Sequence, residues 1–134
     1  MTYQYSLQIF YEDTDAGGVV YHANYVKFME RARTVLLQQK GLSFSALMDN
    51  FGVQFIVRSI MISYEQPARL QQNITVVTEL TKIGRASLHF SQGIYFEPRD
   101  PKTRICTGEV VIVSTNLQFK PCAIPQRVLK ELST

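Results

Sequence analysis

One stretch of this chain is long enough to form a substantial helix, and most of the chain beyond it reads as strand. Between Asn24 and Lys40, the apolar residues Tyr25, Phe28, Met29, Ala32, Val35 and Leu36 recur at i, i+3, i+4, i+7 spacing and form one stripe. Lys27, Glu30, Arg31 and Thr34 lie largely off it. Asn24 is a good N-cap and Gly41 a good C-terminal stop, which predicts a helix of about four to five turns. Ser43 to Asn50 predicts a second, short helix starting at Ser43 or Ser45, and Pro125 to Leu132 predicts a final helical turn or two.

The remaining segments, Tyr3 to Tyr11, Val53 to Tyr64, Ile74 to Ile83, Ser87 to Phe96 and Arg104 to Asn116, are rich in β-branched and aromatic residues. Gln66-Pro67, Gly84-Arg85 and Pro98-Arg99-Asp100-Pro101 punctuate the last four. Along Ser87 to Phe96, Leu88, Phe90, Ile94 and Phe96 share one face and Ser87, His89, Ser91 and Tyr95 the other, the signature of a sheet covered on one side. Short connections imply antiparallel neighbours. The one long helix must then lie on the apolar face, because neither surface can be buried alone. The expected class is α+β: an antiparallel sheet of about five strands wrapped around one long central helix, a hot-dog arrangement. The layout by itself also fits other α+β sandwiches.

A chain of 134 residues suffices for one core, and residues 1–134 are expected to form a single domain. Its net charge of +3 comes from scattered Lys and Arg, not from the clustered face of a nucleic-acid binder, and suits a small anionic ligand better. The start of the chain lacks the basic and apolar regions of a signal peptide, and no apolar run approaches the roughly 20 residues of a membrane span. Cys106 and Cys122 have no metal or redox spacing and read as reduced thiols, so a cytoplasmic location is expected.

Several kinds of chemistry are excluded by pattern. There is no Gly-x-Ser-x-Gly elbow, no Gly-x-x-x-x-Gly-Lys phosphate loop and no Gly-x-Gly-x-x-Gly dinucleotide turn. With His22 and His89 as the only histidines, no histidine metal site of recognisable spacing exists. What remains is the stretch from Tyr11 to Arg33. It packs three carboxylates (Glu12, Asp13, Asp15), the Gly17-Gly18 turn and a helix start into the 13 positions from Glu12 to Asn24. The glycines let the backbone turn sharply and approach a ligand closely. The unpaired N–H groups of a helix start can hold a carbonyl oxygen as it becomes an oxyanion. A neighbouring carboxylate can attack the carbonyl carbon or deprotonate a water that does. Acyl transfer needs that pairing.

This stretch resembles the signature of the 4-hydroxybenzoyl-CoA thioesterase-like hot-dog family. More narrowly it resembles the Tol–Pal-associated acyl-CoA thioesterase group of Gram-negative bacteria. The resemblance extends through Val57-Arg58, Tyr64-x-x-Pro67-Ala68-Arg69-Leu70 and the tail from Lys120-Pro121 to Pro125, and so covers nearly the whole chain. It implies hydrolysis of acyl-CoA or acyl-carrier-protein thioesters without a metal or other cofactor. It also implies homodimers or homotetramers with the active sites between subunits. The family's catalytic aspartate matches Asp15, and its backbone oxyanion donor matches the N–H of His22. Its nucleotide-contacting basic residue, in the turn ahead of the fourth strand, matches Arg85, with Gly84 and Ala86 beside it uncharged.

Each candidate has a plainer reading. Asp15 can cap its own turn; the motif favours catalysis. Asp13 reads as a turn acid and Glu12 as a solvated charge. His22 contributes through its backbone or, with its ring, by orienting Asp15 or water. Asn24 is a cap whose amide can also touch the thioester. Glu30 occupies the helix where a second hot-dog clade carries its catalytic carboxylate, but Arg31 and Arg33 beside it suggest an ion pair. Tyr25, Phe28 and Phe44 read as core or interface, with some able to line an acyl pocket, and His89 as surface or interface. Arg58 and Arg69 read as structural or interface ion-pair partners. A non-catalytic acyl-thioester-binding module and a cell-envelope interaction protein are the alternatives from other functional classes.

Overall fold

The alternating branched and aromatic residues form five strands: β1 (Thr2–Gln8), β2 (Gln54–Tyr64), β3 (Asn73–Ile83), β4 (Ser87–Phe96) and β5 (Arg104–Thr115). They make one antiparallel sheet in the order β1-β3-β4-β5-β2. The structure, a computed structural model, describes residues 2–97 and 100–134; the Pro98-Arg99 part of the expected turn lies outside the described residues. The helices are α1 (His22–Gln39), α2 (Phe44–Phe51) and α3 (Gln126–Leu132).

Two boundaries depart from expectation. β1 ends at Gln8, and Tyr11–Asp13 forms a tight 3-10 turn instead of continuing the strand. The cause is local: Asp13 Oδ2 accepts the Phe10 N–H at 2.9 Å, and the Asp13 N–H donates to the Phe10 carbonyl at 2.9 Å. Helix α1 begins two residues before Asn24, so Asn24 is not its N-cap. That position is Tyr21, whose side chain caps nothing. At the other end, Gly41 and Leu42 donate back to Gln38 and Leu37, as a glycine-terminated helix does. Ser43 caps α2 through its Oγ, which accepts the Ala46 N–H at 3.1 Å.

Helix α1 lies across the sheet nearest β1 and β3. Its stripe residues Tyr25, Phe28, Met29, Ala32 and Leu36 are all buried. The core has two parts. One joins Tyr25, Phe28 and Met29 to Val20, Ile74, Ile94 and Ile105, and the other joins Leu36, Leu47 and Val128 to Leu88, Phe90 and Val110. Burying each large side chain contributes roughly 1.5–3 kcal/mol. A sheet wrapped around one long helix is the hot-dog architecture. Strand β2 pairs on one edge only, with β5, and leaves Ile56, Val57, Ile60 and Met61 exposed.

A buried polar knot sits inside this core. Arg33, 5% exposed, donates from Nη1 to Gln92 Oε1 at 2.9 Å. Gln92 Nε2 donates to the Met29 carbonyl at 3.0 Å and to Thr78 Oγ1 at 2.8 Å. The ion pair expected between Glu30 and its neighbouring arginines does not form. Glu30 accepts Thr34 Oγ1 at 2.7 Å, Arg31 stacks over the Phe28 ring, and Arg33 turns inward. Among the described residues, no helix is long and apolar enough to cross a membrane.

Candidate active site

The chain after the 3-10 turn folds into a tight loop. Thr14 bridges Val20 antiparallel, the Asp15 N–H donates to the Val19 carbonyl at 2.9 Å, and the Gly18 N–H donates to the Asp15 carbonyl at 3.0 Å. Gly18 has φ +79°, a conformation costly for any residue with a Cβ. Asp15 Oδ1 accepts the Gly17 N–H at 2.8 Å, so this carboxylate does cap its turn. Its other oxygen, Oδ2, has no partner among the described residues, and the residue is exposed.

The same loop fixes the start of α1. The Asp13 carbonyl accepts both the Tyr21 N–H and the Asn24 side-chain amide, each at 2.9 Å. Asn24 is buried and thus anchors the first helical turn to the loop. The N–H groups of His22 and Ala23 have no acceptor among the described residues. Unsatisfied donors and the positive end of the helix dipole therefore sit beside Asp15.

Asp15 and His22 line one cavity of about 350 Å³, walled by Val19, Val20, Tyr25, Tyr64 and the Glu65-Gln66-Pro67 turn. Tyr25 Oη accepts the Ala68 N–H at 3.0 Å, and the Ala68 carbonyl accepts the Val20 N–H at 2.9 Å, tying helix, turn and loop together. Tyr64 Oη donates to the His22 carbonyl at 3.2 Å, and its ring stands edge-on to the His22 ring. Burial pushes the phenol ionisation of both tyrosines above the usual range. At the rim, Glu65 takes two hydrogen bonds from Arg104, at 2.5 and 2.6 Å, which hold its carboxyl below the usual range. Cys106 is buried, and its thiol is pushed up to about 12, mainly by that burial, so it stays protonated at neutral pH.

Of the residues picked from sequence, the fold brings together Asp15, Gly17, Gly18, His22 and Asn24. Arg85 is elsewhere in the same chain. Its exposed turn borders a cavity of about 620 Å³ beside Ile56, Val57 and Arg58, at the start of β2, whereas Asp15 faces the end of β2 at Tyr64. Val57 to Tyr64 spans roughly 23 Å at ~3.3 Å per residue. Glu30 lies two turns along α1 from His22, about 12 Å at ~1.5 Å per residue. A larger concavity, about 760 Å³, opens between Lys40, Asp49, Arg127 and Glu131, and it is lined by charges of both signs. The sequence pattern marks Tyr25 as core, interface or acyl-pocket wall and does not single out Tyr64 as a site residue. Their hydroxyl partners lie 43 and 42 positions away and leave no local signal.

Comparison with known proteins identifies the family and agrees with the fold. Residues 11–132 match the model of the thioesterase-like superfamily. The chain is 41% identical over 130 residues to the acyl-CoA thioester hydrolase YbgC of Escherichia coli O6:H1, covering 96% of this chain and 94% of that protein. It is 32% identical over 127 residues to the acyl-CoA thioesterase YbgC of Haemophilus influenzae, covering 94% and 90%. The crystal structure of a probable thioesterase from Bartonella henselae superposes with a TM-score of 0.86 at 27% identity, over 93% of this chain and 100% of that one. The chain belongs to the thioesterase-like superfamily, a thioester hydrolase built on the hot-dog fold.

Proposed function

We propose that this protein hydrolyses acyl-CoA thioesters in the cavity between Asp15 and the start of α1. The observation that carries the reading is the free Oδ2 of Asp15 on the same cavity as the unpaired His22 and Ala23 N–H groups. A thioester carbonyl entering there meets a base or nucleophile and oxyanion donors at once. In one route Asp15 takes a proton from water as the water oxygen bonds to the carbonyl carbon. The oxygen gains charge against the helix N–H groups, the carbon–sulfur bond breaks, and the thiolate leaves with the electron pair. In the other, Asp15 itself bonds to the carbon, expels the thiolate, and water then hydrolyses the anhydride. Gly17 and Gly18 shape the loop in either route, and Asn24 holds loop and helix in register.

Arg85 fits as the nucleotide anchor only if a second subunit supplies it. Two copies paired antiparallel along their free β2 edges would bring the Arg85 end of one strand toward the Asp15 end of the other. We therefore assign a homodimer with an isologous interface as the working unit. The test of the activity is a hydrolysis panel over acyl-CoA chain lengths, followed by thiol release, with matched acyl-carrier-protein thioesters in parallel. Turnover of at least part of the acyl-CoA series is expected. Binding without turnover of any acyl thioester would leave the non-catalytic binding module as the correct reading.

A further inference from the structure

We propose that Tyr25 is a catalytic hydrogen-bond donor of this site, its hydroxyl joining the helix N–H groups on the developing oxyanion. The inference rests on the thioester-hydrolase reading of the Asp15 cavity. Tyr25 is the fourth residue of α1. Side chains on a helix lean back toward its N-terminus, so this ring covers the turn that carries His22 and Ala23. It lines the cavity with Asp15 and His22 although only 3% of the residue is exposed.

The hydrogen bonds of the two cavity tyrosines decide the assignment. A phenol has one proton to give and lone pairs to accept with. Tyr64 has given its proton to the His22 carbonyl. Tyr25 only accepts, from the Ala68 N–H, and its own proton has no acceptor among the described residues. A hydroxyl so placed wants an acceptor from the cavity. The thioester oxygen becomes a strong one as the carbonyl carbon turns tetrahedral.

Burial, and after it the nearby Cys106, Tyr64 and Asp15, hold the Tyr25 hydroxyl in its neutral form. It therefore keeps its proton throughout: it donates a hydrogen bond and transfers nothing. The titratable groups around it are Asp15 of the loop, His22 of α1, Tyr64 and Glu65 at the end of β2, and Cys106 of β5.

Two variants test this. Tyr25→Phe removes the proton, and kcat on the best acyl-CoA is expected to fall by roughly 100-fold, the scale of losing one oxyanion donor, with KM nearly unchanged. Because that change also strips the Ala68 N–H of its acceptor, a second variant separates the roles. Site-specific 3,5-difluorotyrosine at position 25 keeps the oxygen, but its electron-withdrawing fluorines make the phenol ionise at a much lower pH than the tyrosine it replaces. Its phenolate still accepts from Ala68 but has no proton to give. Its kcat is expected to drop as pH rises through that ionisation, read from phenolate absorbance, while the wild type stays active. A fluorinated protein that follows the wild-type pH profile, or a folded Tyr25→Phe protein with full kcat, overturns the inference while leaving the site in place. If Asp15→Asn also keeps full activity, the site itself is misassigned and the inference falls with it.

Discussion

Asp15 meets two demands with its two oxygens. Oδ1 closes the turn on the Gly17 N–H, and Oδ2 has no partner among the described residues, so the structural role leaves room for the proposed catalytic one. A different economy governs Arg33, which is buried with an amide for a partner and, among the described residues, no carboxylate in bonding distance. A buried charge is tolerated when hydrogen-bonded and costly when stranded. Replacing the charge, in Arg33→Met, removes the buried cation but leaves Gln92 Oε1 without its donor, and a loss of about 1–2 kcal/mol is expected. Removing its partner, in Gln92→Leu, strands the charge and frees Thr78 and the Met29 carbonyl; a loss of about 3 kcal/mol is expected. Urea midpoints of the two proteins check the order, and a costlier Arg33→Met would contradict it. What is legible in the sequence at this scale is whatever is local. The loop acids, Gly17-Gly18 and the helix stripe carry their meaning in spacing. Gln92 lies 59 positions from Arg33, and nothing near either residue announces the other. Asn24 misleads because its residue type suits a cap; a side-chain bond to the Asp13 carbonyl, 11 positions back, uses its amide instead.

Elements are legible to within a residue or two where alternation is strong, as in β4, whose bounds match the sequence pattern. β1 is shorter than its composition suggests because Asp13 turns the chain by capping Phe10. The strand order is beyond reach of local pattern: β1 pairs with β3 across more than 60 positions, a contact only the assembled sheet creates. That order leaves β2 at the edge with Ile56, Val57, Ile60 and Met61 uncovered. A long edge strand with exposed apolar side chains invites pairing. Light scattering at micromolar concentration is expected to show at least a dimer. Met61→Lys, at a position 73% exposed, is expected to shift the assembly toward monomer and to lower acyl-CoA hydrolysis with it. A fully active wild-type monomer would contradict the shared site.

At the scale of the whole molecule, the sheet's contribution is to carry the Tyr64 to Ala68 segment across to the loop and the helix start. Tyr64 then reaches the His22 carbonyl, and Ala68 links Tyr25 to Val20. None of the three segments forms the cavity alone. The loop and the helix are visible in the sequence; the third wall comes only with the fold. The carboxylate is the center of the proposed mechanism, and one comparison tests it: kcat of Asp15→Asn beside Glu30→Gln on the best acyl-CoA, with both proteins shown to be folded. Asn is nearly isosteric and can still accept the Gly17 N–H, so the loop is expected to survive. The expected result is a fall in kcat of roughly 100-fold or more for Asp15→Asn, the scale of losing an acid–base group, with Glu30→Gln close to wild type. Near-normal turnover by Asp15→Asn together with an inactive Glu30→Gln would contradict the assignment and move the chemistry to the middle of α1.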